Sequence, residues 1–109
     1  MMSDNINGVK HVNIQVNFVS KTTGASTRKE NMVKANEPLV DALYKVGIQI
    51  VPVRFPQVNT TTFLYLLEGQ QPVPLAKDRL PKPVENDTQF KLEYNEPVLN
   101  LPIKVYIHD

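Results

Sequence analysis

The residues best suited to chemistry are few, and their spacing does not gather them. Asp78, Glu85 and Asp87 fall within one polar stretch, "KDRLPKPVENDT", where they resemble paired carboxylates. A general acid–base pair needs a cleft and a shifted pKa. A proline-rich loop offers neither, so these acids read as solvated loop residues. His11 lies on the polar phase of an alternating stretch, and His108 is almost a hundred positions further along. With no third ligand in view they read as surface histidines, and no metal site is expected. Ser20, Ser26 and the threonines have no histidine at the spacing of a nucleophile and its base. Gly24 stands alone, as a turn glycine and not a phosphate loop. The chain has no cysteine, which removes thiol nucleophiles, disulfides and Cys-based zinc sites. The expectation is a protein that is not an enzyme and takes no cofactor.

The charges say more. The chain of 109 residues has the length of one domain and a net charge of +1. Between Gly8 and Val46, six basic residues (Lys10, Lys21, Arg28, Lys29, Lys34, Lys45) face three acids (Glu30, Glu37, Asp41), a local +3. Nucleic-acid binders carry denser basic patches interleaved with stacking aromatics, so no nucleic acid is expected. No stretch reaches the roughly 20 apolar residues of a membrane span. "MMSDNINGVK" lacks the apolar run of a signal peptide. These features point to a soluble, cytoplasmic protein.

Periodicity supplies the elements that must carry those charges. "HVNIQVNFVS" alternates, with Val12, Ile14, Val16 and Phe18 on one face and His11, Asn13, Gln15 and Asn17 on the other, a half-buried strand. "KTTGAST" is a turn, and "RKENMVKA" returns as a second strand. Asn36 suits an N-cap and Gly47 a C-terminal stop. Between them Leu39, Val40, Leu43 and Val46 form one apolar stripe, predicting a helix of about ten residues. "IQIVPVRFPQV" is apolar but broken by Pro52 and Pro56, so it does not suit a central strand throughout. "TTFLYLLEG", "QFKLEY" and "PIKVYIHD" complete the strands. In "TFLYLL", Phe63, Tyr65 and Leu67 are expected to face the core, with Leu64 and Leu66 outside. The class is α+β, a single helix on one face of a small mixed sheet.

The order of these pieces resembles a ubiquitin-like β-grasp domain over residues 9–94. The hairpin "FVSKTTGASTRKENMV", the helix "PLVDALYKV", the strand and glycine of "LYLLEG", the loop leucine of "KDRL" and the turn and strand of "ENDTQFKLEY" carry the likeness. The ending "YIHD" lacks the Gly-Gly of conjugated modifiers, so a conjugation tag is not implied. Residues 95–109, "NEPVLNLPIKVYIHD", look like a linker and the first strand of a following lobe. This is similar to the ubiquitin-like lobe that precedes the FERM lobes of talin- and kindlin-type scaffolds. The resemblance implies a non-catalytic interaction module at the membrane–cytoskeleton interface. In that family the second strand is a sheet edge beside the helix. Lys21, Arg28, Lys29, Lys34 and Lys45 would there meet the acidic, strand-forming region of a Ras- or Rap-type small GTPase, or an anionic membrane. The other expectation is a stand-alone ubiquitin-like accessory protein binding through an apolar strand face at Leu64 and Leu66. Pro102 to Asp109 is expected outside the main core, mobile or paired with another molecule.

Overall fold

In the alternating stretch around Phe18, Val12, Ile14, Val16 and Phe18 are all buried, and this row is the floor of the core. A computed structural model describes residues 5–6, 9–54, 62–68 and 70–108 of the chain. Its elements run β1 (Asn5–Ile6), β2 (Val9–Ser20), β3 (Ser26–Lys34), α1 (Leu39–Lys45), β4 (Ile48–Val53), β5 (Thr62–Glu68), β6 (Gln71–Pro74), a 3-10 turn at Lys77–Arg79, β7 (Thr88–Tyr94) and β8 (Ile103–His108). The fold is α+β. One mixed sheet has the strand order β3–β2–β7–β5–β6, with the short β1 paired to the start of β2. β2 and β7 run parallel at its centre, and every other pair in this sheet is antiparallel. β4 and β8 form a separate parallel pair. Pro56, Gly69 as a strand end and most of the first eight residues fall outside the described residues.

The helix is shorter than the stripe predicts. It begins at Leu39 after Pro38, and Asn36 makes no cap. A helix start leaves backbone N–H groups without partners. Here the loop before β7 supplies them: Leu39 N–H donates to the Lys82 carbonyl at 2.9 Å and Val40 N–H to the Leu80 carbonyl at 3.0 Å. A side-chain cap is therefore unnecessary. Leu39, Ala42, Leu43 and Val46 are buried, while Val40 is only half-buried. Gly47 ends the helix at φ +96°, a conformation that favours glycine.

Two expectations are overturned. On β5 the phase is reversed: Leu64 and Leu66 are 6% and 7% exposed, whereas Phe63 is 39% exposed and Tyr65 half-buried. A one-residue change of phase exchanges the two faces of a strand. Pairing decides it, because Leu64 sits opposite Leu92 and Leu66 opposite Phe90, both core residues. Thr62, next in the same phase, is also buried and donates its hydroxyl to the Lys104 carbonyl at 2.7 Å. A Tyr65 turned inward would have to find a partner for its hydroxyl.

The second correction concerns Pro102 to Asp109, expected outside the main core and mobile or paired with another molecule. The segment returns so that β8 pairs with β4 of its own chain, Ile48 opposite Ile103 and Ile50 opposite Val105. Val105 is 2% exposed and belongs to the core. Ser20, fully buried, donates its hydroxyl to the Glu96 carbonyl at 2.6 Å and so fixes the start of the return. Partners within the chain replace the second molecule expected for this strand.

Leu43→Ala, in a fully buried position, is expected to cost about 2–5 kcal/mol in urea unfolding. Val105→Asp places an unpaired charge among apolar side chains, and a loss above about 3 kcal/mol is expected. A neutral effect of Val105→Asp would return β8 to the status of a loose tail.

Candidate functional interface

The alternation of β2 and β3 distributes the five candidate cations over three places. Val33 is buried opposite Val12, so Lys29 and Asn31 share the helix side of β3. Arg28, Glu30, Met32 and Lys34 take the other side, opposite Asn17, Gln15, Asn13 and His11. Two hydrogen bonds agree with this phase. The Asn31 side-chain amide donates to the Lys45 carbonyl at 3.5 Å, and the Asn13 amide donates to Glu30 Oε1 at 3.1 Å. Arg28 and Lys29 therefore point to opposite faces of one exposed strand. Lys45 is held by Glu37 at 2.8 Å. Lys21 lies at the far end of the hairpin with its ammonium 5.4 Å from the centroid of the Phe63 ring. The structure joins Lys29 with Lys45 and leaves the other three apart.

The backbone makes a stronger feature than the charges. Outside its pairing with β2, β3 has no strand neighbour among the described residues. All of its residues but Val33 are exposed. It contains neither proline nor glycine across its nine residues. At the other edge, β6 has four residues, of which Pro72 and Pro74 cannot donate to a ladder. One edge is open to strand addition and the other is blunted.

Among the described residues, no helix or strand is packed over the outer face of the sheet. Its rows cross the strands in register: Arg28, Asn17, Lys91, Tyr65 and Pro74 form one, and Ser26, Val19, Glu93 and Phe63 another. The β3, β2 and β7 half is polar, with Lys91 and Glu93 paired at 3.3 Å. The β5 and β6 half is apolar, formed by Phe63, Tyr65, Leu67, Pro72 and Pro74. The apolar partner face expected at Leu64 and Leu66 is thus made by their neighbours, because those two leucines are core. The sequence signal was present: "FLYLL" is apolar in both phases, and only the partners of β5 choose between them.

Among the described residues, no group of three His, Cys, Asp or Glu gathers where a metal ion would sit. Asp87 accepts the backbone N–H of Asn13 at 2.8 Å, a structural tie between the loop and β2. Within the described residues no helix is long and apolar enough to cross a membrane. The chain matches no family model, no curated protein and no solved structure.

Paired substitutions on β5 separate its faces. Leu66→Ala is expected to lose about 2–5 kcal/mol, as a buried leucine does. Leu67→Ala, on the outer face, is expected to lose under about 1 kcal/mol. Chemical denaturation of both variants checks the phase, and equal losses would contradict it.

Proposed function

We propose that the chain is a non-catalytic protein-interaction domain of the ubiquitin-like β-grasp type. On this reading it binds by adding a partner's extended, acidic segment to the edge of β3. The sheet order with a central parallel pair, crossed on one face by α1, supports the fold reading. The observation that carries the binding reading is β3 itself, long, unpaired along one edge and exposed on both faces. Backbone ladder bonds supply affinity in strand addition, and alternate side chains supply specificity. Arg28, Lys29 and Lys34 leave the strand cationic on both faces, so an acidic segment complements it whichever way its side chains turn.

An activated small GTPase of the Ras or Rap type, with its acidic strand-forming region, is the first partner to test. An anionic membrane is the second. The FERM-scaffold setting rested on residues 95–109 leading into another lobe. With β8 paired to β4, that part of the expectation loses its support. A second reading keeps the apolar outer face of β5 and β6 as the contact of a stand-alone ubiquitin-like accessory protein. Phe63, 39% exposed beneath the Lys21 ammonium, favours it.

The test is an amide-resolved NMR titration with GTP-loaded and GDP-loaded GTPases and, separately, with anionic vesicles. The expected outcome is nucleotide-dependent shifts across Ser26–Lys34, weakened by salt as steered electrostatic contacts are. Arg28→Glu combined with Lys29→Glu is expected to weaken binding by more than the roughly 0–1 kcal/mol of one surface ion pair. Shifts confined to vesicle titrations would replace the GTPase with the membrane. Shifts confined to Phe63, Tyr65 and Leu67 would favour the second reading.

A further inference from the structure

Beside the open edge lies a shallow, solvent-open groove of about 370 Å³. Lys29, Glu30, Tyr44, Lys45, Val46, Gly47, Leu101 and Pro102 line it. Tyr44 is 60% exposed and Leu101 41%, two of the large apolar side chains that the fold leaves uncovered. They come from distant parts of the chain, the end of α1 and the return to β8. Gly47 holds them together, since a Cβ there would stand 2.9 Å from Leu101 Cδ2. Its carbonyl also accepts the Ile103 N–H at 2.8 Å, which anchors the Leu101 side of the groove.

Resting on the strand-addition reading, we infer that this groove is the specificity socket for the added strand. It takes one aromatic or leucine side chain from an extended segment that is otherwise acidic. A strand laid on β3 turns alternate side chains to the helix side, where the socket lies, and the rest to the outer side. With Lys45 occupied by Glu37, Lys29 and Glu30 leave one charge of each sign at the rim, so the socket itself selects an apolar side chain and the acidic preference comes from Arg28 and Lys34. On the outer side Arg28 and Lys34 bracket Glu30 and Met32, and Glu30 is bonded to Asn13. The preferred segment therefore alternates, with an apolar residue in the socket and carboxylates opposite Arg28 and Lys34.

Charge disfavours a second copy of the chain as occupant in most registers. In a two-fold antiparallel pairing centred on Lys29, Arg28 faces Glu30 twice but Lys29 meets itself at the centre. Centred on Glu30, two glutamates meet, and centred on Asn31, Arg28 faces Lys34 twice. Like charges directly opposite are destabilising. Only a register shifted onto Met32 sets Glu30 against Lys34, and it leaves Arg28 and Lys29 beyond the ladder.

The probe is a fluorescein-labelled peptide of about ten residues, glutamates alternating with valines around one central phenylalanine. Its anisotropy and the amide shifts of the whole chain are read together. The expected result is shifts along β3 and at Tyr44 and Gly47. Replacing the central phenylalanine with alanine is expected to weaken binding about ten-fold, the scale of one apolar anchor. Tyr44→Ala and Leu101→Ala are expected to do the same, and N-methylation along one peptide edge to abolish binding. Two exposed side chains are used so that a folding defect in one variant leaves the other informative. If the alanine and phenylalanine peptides bind β3 equally, the socket is refuted and the edge reading stands. If no peptide shifts β3, both fall. Concentration-dependent shifts of β3 without peptide, with a dimer by light scattering, make the second copy the occupant and overturn the proposal.

Discussion

The parallel ladder between β2 and β7 sets Val16 beside Phe90 and Phe18 beside Leu92, and the rest of the domain is arranged around that seam. Parallel neighbours cannot be joined by a tight turn, so a long crossover must separate them. Here everything from β3 to the loop before β7 is that crossover. The helix lies in it and buries Leu39, Ala42 and Leu43 in the same core as the seam. β5 then pairs with the far side of β7 and takes its phase from Phe90 and Leu92. Closing a seam between residues so distant in sequence carries a loop-entropy cost before any contact rewards it.

The same arrangement explains why the two edges differ. Among the described residues β3 joins the sheet only through β2, and one buried residue, Val33, anchors a strand otherwise in solvent. An exposed ladder edge invites pairing, and charged side chains are a common guard. On β3 the guard is the set of exposed charged side chains Arg28, Lys29, Glu30 and Lys34. At β6 two prolines do the guarding by removing backbone donors. Specificity can thus be built from repulsion as well as attraction.

The β4–β8 pair works as a clamp across the open end of the core. Two buried hydroxyls tie it down, Ser20 to the Glu96 carbonyl and Thr62 to the Lys104 carbonyl. Hydroxyls buried with a partner avoid the desolvation penalty of unpaired ones. Because Leu101 lies on this return path, the clamp that closes the core also builds one wall of the groove beside β3. Stability and the proposed recognition share a segment.

Local pattern alone determined a good deal of this protein. The alternation in "HVNIQVNF" and "QFKLEY" set which faces of β2 and β7 are buried, and Gly24 and Gly47 marked a turn and a helix end at positive φ. The exposed basic residues of β3 were legible too, since nothing in that strand but Val33 has a core to reach. The tertiary structure alone decided the rest. β5 is apolar in both phases, so its partners chose Leu64 and Leu66 for the interior over Phe63 and Tyr65. β6 was hidden in a proline-rich stretch, because prolines argue against a strand until an edge position excuses them. Asn36 looked like a cap, but the loop before β7 supplied carbonyls no local pattern announces. The last strand carried a clear strand period and no information about its partner, because ladder pairing depends on which backbone lies alongside. Arg28 and Lys29, adjacent in sequence, became a two-faced pair only when Val33 was buried and fixed the phase of the strand.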